Sequence, residues 1–188
     1  MRYAQDHKAQ THQRILHEAS ARFRRDGIGA TGLQPLMKAL GLTHGGFYAH
    51  FKSKDDLVEK ALRCAVDEAD ERTDPVFAQE DPLAHYIDLY LSQMHRDNPD
   101  KGCPLPTMSS ELGQRGQPSP ITDKLIHSRL NALRSALPDG PDAEAQSMAM
   151  LSTLVGALVI SRSVQDPELS DRILAAARES LKKPPKEA

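Results

Sequence analysis

Apolar residues recur at intervals of three and four positions along most of the chain, which is the spacing of one face of a helix. No stretch alternates apolar and polar residues in the way that a half-buried strand does. Prolines and glycines fall mainly between the apolar runs, where they end helices. The pattern predicts an all-α protein with helices over residues 11–26, 33–40, 43–50, 53–72, 81–97, 106–113, 119–136, 142–164 and 167–183.

Residues 31–54 carry the most specific pattern in the chain. Leu36 and Leu40 mark the apolar face of a short helix, and Gly41 follows at the position where a left-handed residue commonly ends one. Thr43 stands where the N-cap of the next helix belongs. Two helices joined by a few residues that include glycine form the helix-turn-helix pattern.

This stretch resembles the DNA-binding signature of the TetR/AcrR family of bacterial transcriptional regulators. The positions of that signature are filled here by Gly41, Leu42, Thr43, Gly45, Phe47, Tyr48, His50, Phe51, Ser53 and Lys54. The upstream positions that also fit are Ile15, Ala19, Phe23, Gly27 and Thr31. The resemblance covers roughly residues 11–62. It implies a three-helix DNA-binding domain over 1–52 and a helical effector-binding and dimerisation domain over 53–188, whose first helix, 53–72, connects the two.

The second helix of the motif is predicted to read DNA bases. A helix-turn-helix places the N-terminal residues of that helix at base edges in the major groove. We therefore expect Thr43, His44, Gly45 and Gly46 near the bases, the glycines because they let the backbone approach closely. Gly46 departs from many family members, which carry a small side chain there, so more of the base recognition is expected of His44.

Phosphate contacts need hydrogen-bond donors around the groove. Tyr48 and His50 occupy positions where the family motif sets a hydroxyl and an imidazole against phosphate, and Lys54 adds a positive charge. Thr31 offers a hydroxyl at the start of a helix, and Gln34 lies one turn further on. All five are predicted DNA contacts.

The distribution of charge agrees with this division. The whole chain has a net charge of −2. Residues 1–60 contain ten Lys or Arg against six Asp or Glu, a net +4, whereas residues 61–188 contain fourteen against twenty, a net −6. A cationic N-terminal part on an acidic body favours a nucleic-acid partner.

The helix predicted over 142–164 is apolar on more than one face, and small residues along it allow another helix to pack closely. The resemblance implies a homodimer held by the last two helices, and a second copy also doubles the contacts with a palindromic operator. The predicted interface residues are Ser152, Gly156, Ala157, Ile160 and Ile173. An ordinary buried central helix is the alternative.

The resemblance also implies a small-molecule effector bound inside the helical body. The predicted ligand residues are Tyr86, Tyr90, Met94, Cys103, Met108 and Met150, although an aliphatic core uses the same residue types. Cys103 follows Gly102 and precedes Glu111 by eight positions, a spacing found in some regulators of this family that sense electrophiles or oxidants. Cationic neighbours such as Lys101 would favour a reactive thiolate, whereas a plain buried thiol is the alternative.

Two other functional classes remain as alternatives: a helical adaptor that binds only protein, and a small thiol-dependent enzyme that uses Cys103 with His95. The chain has no Gly-x-Ser-x-Gly, His-Glu-x-x-His, phosphate-binding glycine loop or Cys-x-x-Cys. We therefore predict no enzyme activity, no cofactor and no metal site. The absence of a secretory signal or a membrane span predicts a cytoplasmic regulator.

Overall fold

The computed structural model describes the backbone of residues 2–183 and the side chains of residues 6–183, and every regular element in that part of the chain is helical. The chain divides into two compact units. The first consists of Met1–Glu68 and Pro99–Ile121, and the second of Ala69–Asn98 and Thr122–Ala188. The boundary predicted at residues 52 and 53 remains a prediction, since the two units are divided by packing rather than by function.

The first unit is built on four helical elements. They are α1 (Arg2–Asp26), α2 (Leu33–Ala39), the short 3₁₀ helix His44–Ala49, called here the recognition helix, and the first part of α3 (Lys54–Phe77). Gly27 and Gly41 follow α1 and α2 with φ of +91° and +72°, a left-handed conformation that glycine adopts without strain. The core of this unit is formed by the fully buried side chains of Ile15, Phe23, Leu36, Met37, Phe47, Leu57 and Leu62.

A later stretch of the chain completes the first unit. It contains a single 3₁₀ turn over Pro99–Lys101, one wide π-type turn over Leu105–Ser109, and α6 (Ser110–Gln114). Both turns pack against α1, and Met108 is fully buried there. The prediction of one short helix over 106–113 is therefore close in extent but not in type.

The second unit contains α4 (Pro82–Tyr90), α5 (Gln93–Asp97), most of α7 (Pro120–Ser135), α8 (Ala143–Ser163) and α9 (Pro167–Lys182). The helices α8 and α9 pack on each other, and α4 packs on both. Fully buried side chains in this unit include those of Tyr86, Ile87, Leu91, Leu133, Leu154 and Leu158. The bounds of the last three helices are within two residues of those predicted.

Two helix boundaries were predicted wrongly near the middle of the chain. The predicted helix 81–97 is in fact two helices, because the Ser92 hydroxyl accepts a hydrogen bond from the His95 N–H and caps a new start. The predicted break at 73–75 does not occur. Pro75 lies in the last turn of α3, with only two helical residues after it, so that little of the helix is disturbed.

The chain ends also bear on two predictions. The first helix starts at Arg2 instead of Thr11, so the polar N-terminal residues extend α1 rather than fray from it. The composition of the C-terminal tail, residues 184–188, also predicts disorder, but this prediction lies outside the described residues.

Candidate nucleic-acid interface

The recognition helix is anchored by its cap and by one aromatic residue. The Thr43 hydroxyl accepts a hydrogen bond of 3.2 Å from the Gly46 N–H, which fixes the first turn. Phe47 is fully buried and stacks on Phe51, with ring centroids 5.5 Å apart. Together these contacts set the rotation of a helix that is too short to be stable by itself.

That rotation turns three of the predicted DNA contacts outward. His44 and Gly45 are exposed, and nothing lies within 4 Å of a Cβ placed on Gly45. The side chain of Tyr48 is 61% exposed and rests edge-on against Phe47, with centroids 5.2 Å apart. The ring of His44 also lies edge-on to the Tyr48 ring, with centroids 6.0 Å apart. An aromatic residue that is exposed to this degree and contacts two other rings has its hydroxyl available to an external acceptor.

The structure gives a physical reason for glycine at position 46. A Cβ on Gly46 would lie 3.3 Å from the Thr43 hydroxyl oxygen, which is closer than an ordinary van der Waals contact. A side chain there would press on the cap of the recognition helix. The departure of Gly46 from the family pattern is therefore compatible with a tighter cap in this chain.

His50 lies behind the recognition helix with a second histidine that the sequence did not single out. It is half-buried, and its Nδ1 has no hydrogen-bond partner among the described side chains. The ring of His12 lies 6.0 Å away, stacks on Phe51 and bonds to the backbone of His50. Burial, and then the neighbouring charges of His12 and Lys8, lower the pKa of His50. The lowered pKa favours the uncharged imidazole, whose ring N–H can donate a hydrogen bond to a phosphate.

Two of the predicted phosphate contacts have internal partners. Thr31 is buried, and its hydroxyl donates to the Gly27 carbonyl oxygen at 2.7 Å, so its side chain stabilises the turn after α1. The Lys54 ammonium donates to the Ile28 carbonyl oxygen at 2.7 Å. Burial, and then the charge of Arg115, lower the pKa of Lys54. The remaining predicted contact, Gln34, is exposed on α2.

The turn between α1 and α2 is held by a carboxylate that sequence analysis did not connect with it. Glu111 accepts hydrogen bonds from the backbone N–H groups of Ile28 and Gly29, at 2.5 and 2.7 Å, and pairs with Arg115. A Cβ on Gly29 would lie 2.9 Å from the Glu111 carboxylate, so a larger residue here would displace that side chain. Because more than 80 positions separate these partners, no local spacing reveals the contact.

The predicted ligand residues are divided between the two units. Cys103 and Met108 belong to the first unit, whereas Tyr86, Tyr90 and Met150 are buried in the second. The prediction that Met94 faces inward is wrong, because its side chain is 66% exposed. The helix break at Ser92 puts Met94 out of phase with the apolar face of α4. A cavity of about 210 Å³ in the first unit is lined by other residues, which are Asp55, Val58, Glu59, Leu62, Leu112, Arg115, Gln117 and Ser119.

One face of α8 is exposed and carries no charge. Gly156 lies at its centre, with nothing within 4 Å of an added Cβ, and Ser152 and Ile160 lie one turn away on either side. Ile173 on α9 is half-buried. Ala157 was predicted on this face, but it is buried within its own unit, because it lies about 100° around the helix from Gly156.

By length and composition, α8 is also apolar enough to cross a membrane, and 33% of its most apolar window is buried. A single helix of this kind is a weak indication of a membrane segment, because core helices pass the same test.

The alternative enzyme interpretation, with Cys103 and His95, gains no support from the state of His95. Its Nδ1 donates to the Tyr90 carbonyl at 2.7 Å, and burial lowers its pKa to about 4.

The sequence and the fold of the chain are both similar to those of known bacterial regulators. Residues 15–61 match the family described as bacterial regulatory proteins, tetR family. The HTH-type transcriptional regulator AcrR of Shigella flexneri is 44% identical over 48 residues, which are 26% of this chain and 22% of that protein. The matched stretch thus spans about a fifth of this curated relative.

Solved structures resemble the chain over nearly its whole length. A TetR-family transcriptional regulator from Cytophaga hutchinsonii has a TM-score of 0.75 at 20% identity, over 93% of this chain and 94% of that one. The reduced form of NemR from E. coli has a TM-score of 0.75 at 19% identity, over 92% and 95%. SmeT, the repressor of the Stenotrophomonas maltophilia efflux pump SmeDEF, has a TM-score of 0.61 at 19% identity, over 90% and 87%. At such identities these structures show a shared fold.

Proposed function

Because the chain belongs to the TetR family of bacterial regulatory proteins, we propose that it is a cytoplasmic transcriptional repressor. It binds a palindromic DNA operator as a homodimer, and a small-molecule effector releases it. The observation that carries the proposal is the capped recognition helix, which buries Phe47 and turns His44 and Tyr48 outward. Regulators of this family are generally DNA-binding proteins without enzyme activity, which argues against the thiol-dependent enzyme.

The exposed face of the recognition helix supports separate roles for residues that read bases and residues that bind phosphate. His44 and the backbone at Gly45 lie where base edges would be read, while Tyr48 and Lys54 supply donors to phosphate. His50, whose lowered pKa favours the uncharged imidazole, adds a further donor through its ring N–H. Occlusion of a promoter by such a protein represses transcription, and the structural relative SmeT is itself a repressor.

The exposed face of α8 supports the proposed homodimer. A single recognition helix reads only a few base pairs, and binding that rests on few phosphate contacts is weak at cellular salt. An isologous interface across α8 and α9 would cover the uncharged surface around Gly156 and Ile160 and would pair two recognition helices. A surface of this kind left open to solvent would favour aggregation.

The segment over 99–114 would transmit a structural change caused by an effector to the DNA-binding helices. The buried Arg24 of α1 donates to the Gly102 carbonyl, and Glu111 holds the N–H groups that follow α1. A small displacement of this segment would therefore pull on the turn before α2. Cys103 lies within the segment and is only half-buried, so an electrophile that alkylates it would produce such a displacement.

A selection from random genomic DNA fragments tests the proposal. Purified protein is mixed with the fragments, the bound pool is separated by mobility shift, and the pool is sequenced. We expect a small set of fragments that share an inverted repeat. Tyr48→Ala should bind the same fragments more weakly, whereas His127→Ala, an exposed histidine of α7, should behave as the wild type. A pool no different from the input would favour the protein-binding adaptor.

The effector mechanism has its own test. We expect N-ethylmaleimide to modify Cys103 in the folded protein and to weaken operator binding, and Cys103→Ser to abolish this response. Cys64 is the internal comparison, because burial and then the charge of Glu68 raise the pKa of its thiol to about 11. Unchanged operator affinity after modification of Cys103 would leave a non-covalent ligand as the effector.

A further inference from the structure

Three potential metal ligands of different chemistry meet between α1 and α3 in the first unit. The Nδ1 of His17 lies 3.0 Å from Oε1 of Glu68. The Sγ of Cys64 lies 3.5 Å from each of those two atoms. Cys64 and Glu68 are four residues apart and therefore share one face of α3. The three donor atoms form a small triangle that is open on the side of the exposed His17.

The dimensions of this triangle are those of one face of a tetrahedral zinc site. With Zn–S of about 2.3 Å and Zn–N and Zn–O of about 2.0 Å, tetrahedral angles put a sulfur about 3.5 Å from a nitrogen or oxygen. The same geometry puts the nitrogen about 3.3 Å from the oxygen. The observed separations of 3.5, 3.5 and 3.0 Å need to change by only a few tenths of an ångström. The fourth position would face solvent and take a water molecule.

The surroundings of the cluster hold its ligands in place. Arg24 is 3% exposed and binds the second oxygen, Oε2, of Glu68, which leaves Oε1 directed towards the other two ligands. Ser20 is fully buried beside the Cys64 thiol, and its hydroxyl opposes the rise in the pKa of that thiol that burial and Glu68 cause. A hydroxyl in this position can donate a hydrogen bond to a thiolate ligand. Hydrogen-bonded ligands of this kind are typical of metal sites.

We propose that His17, Cys64 and Glu68 form a binding site for a zinc-class divalent cation within the first unit. The metal replaces the proton of the Cys64 thiol: the S–H bond breaks, a sulfur–metal bond forms, and one proton passes to solvent. The bound cation cross-links α1 to α3, the two long helices that frame the recognition helix. This site does not rest on the proposed function, but it shares Arg24 with the segment over 99–114, because Arg24 pairs with Glu68 and also donates to the Gly102 carbonyl.

Cobalt(II) is the probe, because a cysteine thiolate bound to it gives a charge-transfer band that oxygen and nitrogen ligands do not give. Tag-free protein is titrated with Co²⁺ under reducing conditions, and Zn²⁺ is then added. We expect one Co²⁺ per protomer, a thiolate band, and loss of the band as Zn²⁺ displaces the cobalt.

Variants at the two cysteines locate the site. Cys64→Ser should lose the thiolate band, while Cys103→Ser, the matched control, should keep it. His17→Gln changes an exposed side chain and leaves the fold intact, so a loss of affinity of more than about tenfold there would reflect lost ligation alone. The proposal is overturned if the wild type shows no thiolate band, if the band follows Cys103 instead of Cys64, or if His17→Gln binds as tightly as the wild type.

Discussion

The substitution Gly156→Glu separates the proposed dimer interface from the folding of the protomer. Gly156 lies in the middle of α8, away from either helix end, on the exposed and uncharged face. Nothing lies within 4 Å of an added Cβ, so the new side chain meets no neighbour in the protomer. Replacing a helical glycine also removes some flexibility from the unfolded chain. The isolated protomer should therefore be as stable as the wild type.

The cost of the substitution arises only when two copies associate. In a two-fold interface centred on this face, each copy would bury one carboxylate against an apolar partner surface, and the two carboxylates would repel each other. A buried ion without a partner costs several kcal/mol. If the two buried carboxylates together destabilise the dimer by only about 3 kcal/mol, the dissociation constant of the dimer rises by roughly 100-fold, because each factor of ten corresponds to about 1.4 kcal/mol.

Sedimentation or light scattering over a range of concentrations measures this effect. Gly140→Glu is the control, since it makes the same substitution in the second unit, in a turn where an added Cβ also meets nothing within 4 Å. We expect a dimeric wild type and a dimeric Gly140→Glu, and a monomeric Gly156→Glu with an unchanged melting temperature. A Gly156→Glu dimer as tight as the wild-type dimer would mean that the interface lies elsewhere. A wild type that is monomeric at every concentration would contradict the homodimer.

Three further predictions concern individual side chains. Lys54→Ala should weaken binding to every DNA sequence and flatten the salt dependence by about one unit of slope, and an unchanged slope would mean that its ammonium meets only the Ile28 carbonyl. His44→Ala should return a different consensus when binding sites are selected from random duplexes, and an identical consensus would show that His44 reads no base. The pKa of His95, about 4 in the folded protein, lies below its ordinary value of 6.5, so the unfolded chain takes up a proton first as the pH falls. The free energy of unfolding should drop by about 2 kcal/mol between pH 7 and 5, and His95→Asn should lose this part of the pH dependence in denaturant titrations.

The helical architecture could be predicted because its determinants are local. The bounds of α8 and α9 follow from apolar periodicity and from the prolines and acidic caps beside them, such as Asp166 before Pro167. The break at Ser92 could not be predicted in the same way. There the apolar pattern continues, and a serine cap together with the Arg178 guanidinium, which bonds the Leu91 carbonyl from another helix, ends α4.

The candidate DNA interface was predicted in part for the same reason. Thr43 and Phe47 set the orientation of the recognition helix through contacts a few residues apart, so their roles can be recognised in the sequence. The partners of Thr31 and Lys54 depend on how the turn after α1 folds back, and periodicity does not report this. The contact of Glu111 with that turn joins positions more than 80 residues apart and requires the folded chain.

Binding to one selected operator separates a homodimeric DNA-binding protein from one that binds DNA without specificity or as a single protomer. A duplex carrying the inverted repeat is compared with a duplex in which one half-site is scrambled and with one in which both are scrambled, at a fixed salt concentration. We expect two protomers on the intact repeat, much weaker binding to the single half-site, and weak salt-sensitive binding to the scrambled duplex. Equal affinity for all three duplexes, or one protomer on the intact repeat, would contradict it.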